Sequence, residues 1–181
     1  GGSFAAACRK AGLAKHILGE GRSPETLSTA VDLGLIDEAV SLKEAAQRAD
    51  LIFIAAPVGA FAAIFAELAP WLNDDTLITD GGSTKQNVVD AARLGLKDRI
   101  AQFVPSHPMA GSHEKGPQAA NVALYVGRRV ILTPLPENRP EAVELVRQVW
   151  QACGAKVVSL APAQHDQANP AFQWSLRRSV A

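Results

Sequence analysis

Two short segments of this 181-residue chain combine residue types that can do chemistry. Asp80-Gly-Gly-Ser-Thr-Lys85 and Ser106-His-Pro-Met-Ala-Gly111 each follow an apolar run of the kind that forms a parallel strand. Open α/β sheets bind ligands at the carboxyl ends of their strands, so a serine and a histidine on two loops at that edge can face one ligand. A histidine near its ordinary pKa can hold or take a proton at neutral pH. Ser83 and His107 are therefore candidate catalytic residues.

Simpler roles compete with these assignments. Ser83 could be an ordinary helix N-cap, and His107 could merely end a strand in a polar loop. A phosphate-binding loop is not predicted, because the lysine stands last in residues 81–85 and the required glycine spacing is absent. A metal site using His107, His113 and Glu114 is not predicted either, because prolines and glycines make this segment a loop rather than the helix that an H-E-x-x-H site needs.

Strand-like and helix-like runs alternate along the chain, which predicts a Rossmann-like, doubly wound α/β fold with a mostly parallel sheet. Start signals support three helices: a Ser-Pro pair at 23–24, a capping box of Ser41 and Glu44, and Pro140. Apolar residues on both faces of 51–56 predict a fully buried strand there. The predicted strands are residues 17–21, 51–56, 76–80, 102–105, 129–133 and 156–160, and the predicted helices are residues 3–11, 24–33, 42–48, 58–68, 84–92 and 141–153.

Composition argues against several classes of function. The 18 basic and 18 acidic residues cancel and no basic patch stands out, so no nucleic-acid partner is predicted. The charge-free run 51–66 could suggest a membrane span, but Pro57 and Gly59 interrupt it, which favours a strand followed by an apolar helix and no membrane association. Cys8 and Cys153 lie far apart in sequence and lack metal-ligand spacing, which indicates reduced, partly buried thiols and a cytoplasmic location.

The chain resembles the prephenate and arogenate dehydrogenases, a family of tyrosine biosynthesis, over roughly residues 1 to 166. The resemblance lies in the "GSTK" serine motif, the "HPMAG" histidine motif, Gly1-Gly2-Ser3, residues 51–58 and His165-Asp166. It implies that Gly1-Gly2-Ser3 ends a glycine-rich dinucleotide turn whose preceding strand is missing. The expected organisation is an NAD(P)-binding Rossmann-like domain at 1–161, without its first strand, followed by the start of a truncated helical dimerisation domain at 162–181.

The resemblance also implies a reaction, the NAD(P)-dependent oxidative decarboxylation of prephenate or arogenate. Hydride leaves the ring carbon that bears the 4-hydroxyl, carbon dioxide departs and the ring becomes aromatic. His107 would hold or take the hydroxyl proton, Ser83 would orient His107 and touch both nicotinamide and substrate, and Glu114 would gate the substrate pocket. The full-length protein is expected to be a homodimer that acts on a small molecule. The implied cofactor-binding residues are Gly1, Gly2, Ser3, Gly21, Arg22, Ser23, Ala56, Pro57 and Ser83.

The end of the second predicted strand bears on the choice between NAD and NADP. NAD-selective Rossmann domains place an acidic residue there to bond the ribose hydroxyls, whereas NADP-binding ones have a small residue and an arginine for the 2′-phosphate. This chain has Gly21 at that point, followed by Arg22, which favours NADP. In the alternative, Arg22 is a solvated turn residue and Glu20 binds the ribose.

The C-terminal tail differs from the family pattern. Residues 168–175 depart from the expected continuation, and the family's "SHLPH" motif and a later substrate-binding arginine have no match. We therefore expect no turnover from this chain alone. Two alternatives stay open: a dinucleotide-binding fragment without catalysis, and a dehydrogenase of the 3-hydroxyacid type, although nothing after Leu160 offers the lysine-bearing helix that such an enzyme uses.

Overall fold

The computed structural model describes residues 1–111 and 116–168 and has the expected alternation of strands and helices. Short 3₁₀ helices at Val58–Ala60, Ala69–Trp71, Lys97–Gln102 and Pro117–Ala119 lie in the connections. The strands are β1 (Leu18–Gly19), β2 (Glu38–Ala39), β3 (Leu51–Ile54), β4 (Leu77–Asp80), β5 (Ser106–Pro108), β6 (Arg129–Leu132) and β7 (Lys156–Ser159). The helices are α1 (Gly2–Lys10), α2 (Pro24–Asp32), α3 (Leu42–Arg48), α4 (Phe61–Leu68), α5 (Gln86–Leu96), α6 (Pro140–Ala152) and α7 (Pro162–Ala168).

The strands pair in three groups. β1 and β2 are parallel, β3 and β4 are parallel with Leu51 opposite Leu77, and β6 pairs antiparallel with β5 and parallel with β7. A parallel bridge between Ile78 and Phe103 connects β4 to the segment before β5. Among the described strands, none pairs the β1–β2 group with the β3–β4 group. The predicted Rossmann-like, mostly parallel α/β fold is confirmed.

Helices cover both faces of the sheet and enclose two apolar cores. On one face, Phe4 of α1 and Trp150 of α6 have ring centroids 4.8 Å apart and pack over β4 and β6. On the other face, Phe65 of α4 lies 5.0 Å from the Phe103 ring, in a core shared with α5. The fold also brings together two thiols that are remote in sequence, because the Sγ atoms of Cys8 and Cys153 are 3.8 Å apart and buried.

The predicted helix starts are confirmed where a side chain caps the helix. The Ser23 hydroxyl accepts a hydrogen bond from the Thr26 amide at 3.2 Å, and Ser41 and Glu44 form a reciprocal capping box. Pro140 occupies the first turn of α6. The predicted start of the fifth helix is wrong: α5 begins at Gln86, so Ser83 is not its N-cap.

Three predicted strands are clearly shorter in the structure, and that at 17–21 is reduced to Leu18–Gly19. The strand predicted at 51–56 ends at Ile54, and its first three residues are only half-buried, because β3 pairs with β4 on one side and faces an open groove on the other. The strand predicted at 102–105 is reduced to the single bridge at Phe103. The next amide that could continue this ladder, that of Ser106, donates to the Asp80 side chain, and the chain turns into antiparallel pairing with β6.

In the part of the chain that the structure describes, no helix combines the length and apolar character that a membrane span requires.

Candidate functional site

A buried ion pair joins the two sequence motifs. The Lys85 ammonium lies 2.5 Å from Asp80 Oδ2 and donates a second hydrogen bond, 2.7 Å long, to the Ser106 carbonyl. Both charged side chains are fully buried. Removing an ammonium and a carboxylate from water is costly unless each is paired and hydrogen-bonded, and both conditions hold here. The turn after β4 is therefore fixed against the start of β5.

The Asp80 carboxylate completes this junction through backbone amides. Its Oδ1 accepts a hydrogen bond from the Ser106 amide at 2.9 Å, and its Oδ2 accepts one from the Gly82 amide at 2.8 Å. A Cβ atom at Gly82 would lie 2.8 Å from Asp80 Oδ2 and 3.2 Å from Val88, so glycine is required for this close approach. One carboxylate thus positions both strand ends.

Burial and charge act in opposite directions on this pair. Burial raises the pKa of Asp80, and the positive charge and hydrogen bond of Lys85 oppose that shift. Burial lowers the pKa of Lys85, and the negative charge of Asp80 opposes it. This role of Lys85 was not predicted, since the sequence suggested for the lysine only a phosphate loop, whose glycine spacing is absent. The available signal was an aspartate at a strand end with a lysine five residues later, at the start of an apolar helix face.

His107 lies within β5, opposite Ile131, rather than in a loop after a strand as expected. It is half-buried, and its Nδ1 is 2.9 Å from Nε2 of His165. Burial, the charge of Lys85 and the neighbouring His165 lower the pKa of His107 to about 4, and Asp166 opposes the shift. The imidazole is therefore neutral at neutral pH and able to accept a hydrogen bond.

His165 and Asp166 reach the site from α7. His165 is 1% exposed, and its Nδ1 lies 2.7 Å from Asp166 Oδ1. From the sequence, these two residues were expected only to mark a domain boundary, because a lone His-Asp dipeptide carries no stronger signal. We refer to Asp80, Lys85, Ser106, His107, His165 and Asp166 as the His107 cluster.

Two further predicted site residues, Ser83 and Glu114, do not belong to the His107 cluster. Ser83 is exposed in the turn that joins β4 to α5, and its catalytic role stays a prediction. Glu114, like His113, lies outside the described residues, so the predicted gating role and the rejected metal site cannot be located. Within residues 1–111 and 116–168, no three His, Cys, Asp or Glu side chains cluster in a way that could hold a metal ion.

A groove of about 1880 Å³ brings together most of the predicted cofactor-binding residues. It is larger than the usual 300–1,000 Å³ of a small-molecule site, because it also runs along the open edge of β3 past Leu51 and Ile52. We call its dinucleotide-facing part the nucleotide edge. That edge consists of Gly1, Gly2, Gly21, Arg22, Ala56 and Pro57.

Three predicted cofactor ligands do not line this groove: Ser3, Ser23 and Ser83. The Ser3 hydroxyl accepts a hydrogen bond from the Asn121 amide at 3.1 Å, and that of Ser23 caps α2. Both hydroxyls therefore have a structural use, and their contact with a cofactor stays a prediction.

The nucleotide edge fits a dinucleotide at the start of α1. Helix N-termini favour phosphate, because the first amide groups and the helix dipole both point towards it. A Cβ atom at Gly1 would lie 3.8 Å from Ala55, and one at Gly2 would lie 3.2 Å from Ala120 and 3.3 Å from Leu35. Glycine at position 2 therefore lets the start of α1 pack closely against Ala120 and Leu35.

Comparison with known proteins agrees with this geometry. Residues 4–159 match the family model described as prephenate dehydrogenase, nucleotide-binding domain. The chain is similar to the prephenate dehydrogenase of Bacillus subtilis strain 168, with 40% identity over 168 residues that cover 92% of this chain and 45% of that protein. It thus spans about half the length of the curated relative it matches.

Two solved structures are also similar. The prephenate dehydrogenase from A. aeolicus in complex with hydroxyphenyl propionate and NAD+ has 35% identity and a TM-score of 0.86, covering 93% of this chain and 58% of that one. The Synechocystis arogenate dehydrogenase has 30% identity and a TM-score of 0.85, covering 93% of this chain and 59% of that one.

Proposed function

Because the chain belongs to the prephenate dehydrogenase family, we propose that it is the NAD(P)-binding part of an enzyme that oxidatively decarboxylates prephenate or arogenate. The observation that carries this proposal is the neutral, half-buried His107 on a strand that a buried ion pair fixes beside the Ser83 turn. A base held in this way suits a reaction that must polarise a hydroxyl group.

The proposed role of His107 follows from the electron flow. The carbon that bears the ring hydroxyl loses hydride, the bond to the ring carboxylate breaks with its electron pair entering the ring, and carbon dioxide leaves. The products are 4-hydroxyphenylpyruvate from prephenate or tyrosine from arogenate, together with the reduced cofactor. His107 accepts a hydrogen bond from the hydroxyl, which raises the electron density on the carbon that gives up hydride. The hydroxyl proton stays with the phenolic product.

A bound nicotinamide would take the hydride, and the nucleotide edge would hold the rest of the dinucleotide. Gly1 and Gly2 would meet the pyrophosphate at the start of α1, and Ala56 and Pro57 would border the cofactor after β3. In this proposal Ser83 contacts both nicotinamide and substrate, as the resemblance implies. Glu114 would gate the substrate, and the full-length protein would be a homodimer.

We propose NADP as the preferred cofactor. A Cβ atom at Gly21 would meet Leu27 at 3.6 Å, an ordinary contact, so the backbone does not require glycine there. The small residue instead leaves room beside Arg22, which is exposed on the groove wall and free to approach a 2′-phosphate. Glu20, the alternative ribose ligand, also lines the groove, and burial and the neighbouring Glu67 raise the pKa of its carboxyl group.

The test is a turnover assay on this chain fused to the remainder of the Bacillus subtilis relative, which supplies the part that the chain does not span. We expect reduction of NADP+ or NAD+ that depends on prephenate or arogenate. The variant His107→Asn should lower turnover by about 10²- to 10⁴-fold, the usual contribution of a general acid or base.

The control is the same assay with Lys156→Asn, since Lys156 is exposed on β7 and does not line the groove. Near-normal turnover in His107→Asn would remove His107 from the mechanism. Dinucleotide binding without turnover by the fused protein would favour the alternative of a non-catalytic binding fragment. The relative rates with prephenate and arogenate would identify the substrate.

A further inference from the structure

Three groups form a continuous hydrogen-bonded chain behind the candidate base. Asp166 Oδ1 lies 2.7 Å from His165 Nδ1, and His165 Nε2 lies 2.9 Å from His107 Nδ1. The two imidazole rings meet edge to face, with an interplanar angle of 63°. His165 is 1% exposed, so bulk water does not compete for its ring nitrogens.

The carboxylate at the end of this chain is itself fixed. Its Oδ1 and Oδ2 accept hydrogen bonds from the Lys85 and Gln86 amides, each 2.9 Å long, at the start of α5. α5 has no side-chain cap of its own, so Asp166 supplies that cap from α7. Burial alone would raise the pKa of Asp166, but the two amides and His165 outweigh it and hold the pKa below its ordinary value.

The positions of the protons follow from the chemistry of each group. An ionised carboxylate can only accept hydrogen bonds, so His165 Nδ1 must carry a hydrogen. In neutral His165, Nε2 then has a lone pair and accepts from His107, whose Nδ1 must carry a hydrogen in turn. The Nε2 atom of His107 is left with its lone pair. Which ring nitrogen carries the proton is thus set by the partner of the other nitrogen.

We propose that His165 and Asp166 are positioning residues that fix His107 in the tautomer with an unprotonated Nε2. This inference rests on the proposed function, because the tautomer matters only if His107 accepts a hydrogen bond from the substrate hydroxyl. The opposite tautomer would present an N–H group to that hydroxyl and could not act as the base.

The direct test is nuclear magnetic resonance of the present chain labelled with ¹⁵N-histidine. Couplings between the ring nitrogens and the carbon-bound ring hydrogens report which nitrogen is protonated. Single His→Gln variants of the four histidines in the sequence assign the signals. At neutral pH we expect His107 to carry its proton on Nδ1. A proton on Nε2 of His107 overturns the inference, and no catalytic activity is needed for this readout.

A pair of variants separates positioning from packing. His165→Phe keeps a ring in the buried site but offers no acceptor, whereas His165→Gln keeps an acceptor oxygen. We expect His107 to adopt the Nε2–H form in His165→Phe and to retain Nδ1–H in His165→Gln. The same tautomer of His107 in both variants would overturn the inference. If neither variant folds, the wild-type spectrum alone decides.

Kinetics in the fused enzyme add a second readout. His165→Phe should lower kcat by at least about tenfold, with little change in the KM for dinucleotide, because a wrong tautomer disables the base without altering the nucleotide edge. His165→Gln should recover most of that loss. Inactivity of the unmutated fused enzyme would contradict the proposed function but leave the tautomer measurement to decide this inference.

Discussion

The His107 cluster and the nucleotide edge are held in different ways. In the His107 cluster, the side chains of Asp80 and Lys85 are fully buried and every link is a hydrogen bond to a named partner. At the nucleotide edge, Gly21 and Arg22 are exposed, α2 buries no residue, and β1 pairs over only two residues. One region is fixed before any ligand arrives, and the other is a surface open to one.

This difference corresponds to what each region is proposed to do. A base must hold its nitrogen within a fraction of an ångström of its target, which requires supporting residues that are themselves locked. A surface that binds a long, charged dinucleotide gains most from backbone amides and an accessible cation, and it can remain less rigid without losing that function. Variants in the two regions should therefore fail differently.

The largest expected effect is the loss of the buried ammonium. Lys85→Met keeps the length of the apolar stem but leaves the Asp80 carboxylate buried without its counter-charge. Breaking a buried ion pair in this way costs about 3–5 kcal/mol of unfolding free energy. Urea unfolding followed by tryptophan fluorescence measures the loss.

The matched control is Lys156→Met, the same substitution at an exposed lysine on β7. It should change the free energy of unfolding by less than about 0.5 kcal/mol. An equal loss of unfolding free energy in Lys85→Met and Lys156→Met would show that the buried ion pair does not stabilise the His107 cluster.

The His107 cluster also shows which parts of the candidate site could not be predicted from the sequence. Strand ends, caps and the two motifs were predictable because each depends on residues within a few positions of one another, as at Ser23 and Ser41. The contact of Asp166 with the start of α5 spans 80 residues, and only the assembled fold brings these groups together. Long-range hydrogen bonds of this kind leave no local pattern in a sequence.

A second limit concerns strand pairing. The apolar run that includes Phe103 and Val104 has the composition of a strand, and both residues are buried. Its parallel pairing with β4 nevertheless stops after one bridge, because the Ser106 amide donates to the Asp80 side chain and not to a backbone carbonyl. Similarly, the apolar residues of β3 predicted a fully buried strand. Full burial also requires a neighbouring strand on each side, and the residues of β3 alone do not specify such neighbours.

The next effect in size is a pH dependence that belongs to His107. Its pKa is lowered from 6.5 to about 4, by burial first and then by Lys85 and His165, while Asp166 opposes the shift. The unfolded chain therefore binds more protons between these two pH values. The free energy of unfolding should fall as the pH drops from 6.5 towards 4, by at most about 1.4 kcal/mol for each unit of pKa difference.

The comparison for this prediction is His107→Gln, which removes the titrating group. Unfolding curves at several pH values should show a weaker decline in the variant than in the wild type over that window. Parallel declines would mean that His107 titrates normally and that the His107 cluster does not keep it neutral.

At the nucleotide edge, we expect an effect on affinity rather than on stability. Arg22→Ala should weaken NADP binding by roughly 10- to 100-fold, the equivalent of about 1.5–3 kcal/mol for a charged hydrogen bond, and should weaken NAD binding much less. Titration calorimetry with both cofactors measures the ratio. Equal weakening of the two would show that Arg22 does not bind a 2′-phosphate.

The smallest expected effect tests whether one residue serves both stability and binding. The Ser23 hydroxyl caps α2 by accepting from the Thr26 amide at 3.2 Å. Ser23→Ala should lower the free energy of unfolding by about 1 kcal/mol, and Ser23→Gly should restore most of it, because glycine is a good N-cap residue although it has no side-chain donor. A capping hydroxyl still has its own hydrogen to donate, so a cofactor oxygen could use it at the same time. NADP affinity should then fall in both variants by about 0.5–1.5 kcal/mol, the worth of one hydrogen bond. An affinity that follows stability, lower in Ser23→Ala and near normal in Ser23→Gly, would show that Ser23 only supports the helix and does not contact the cofactor.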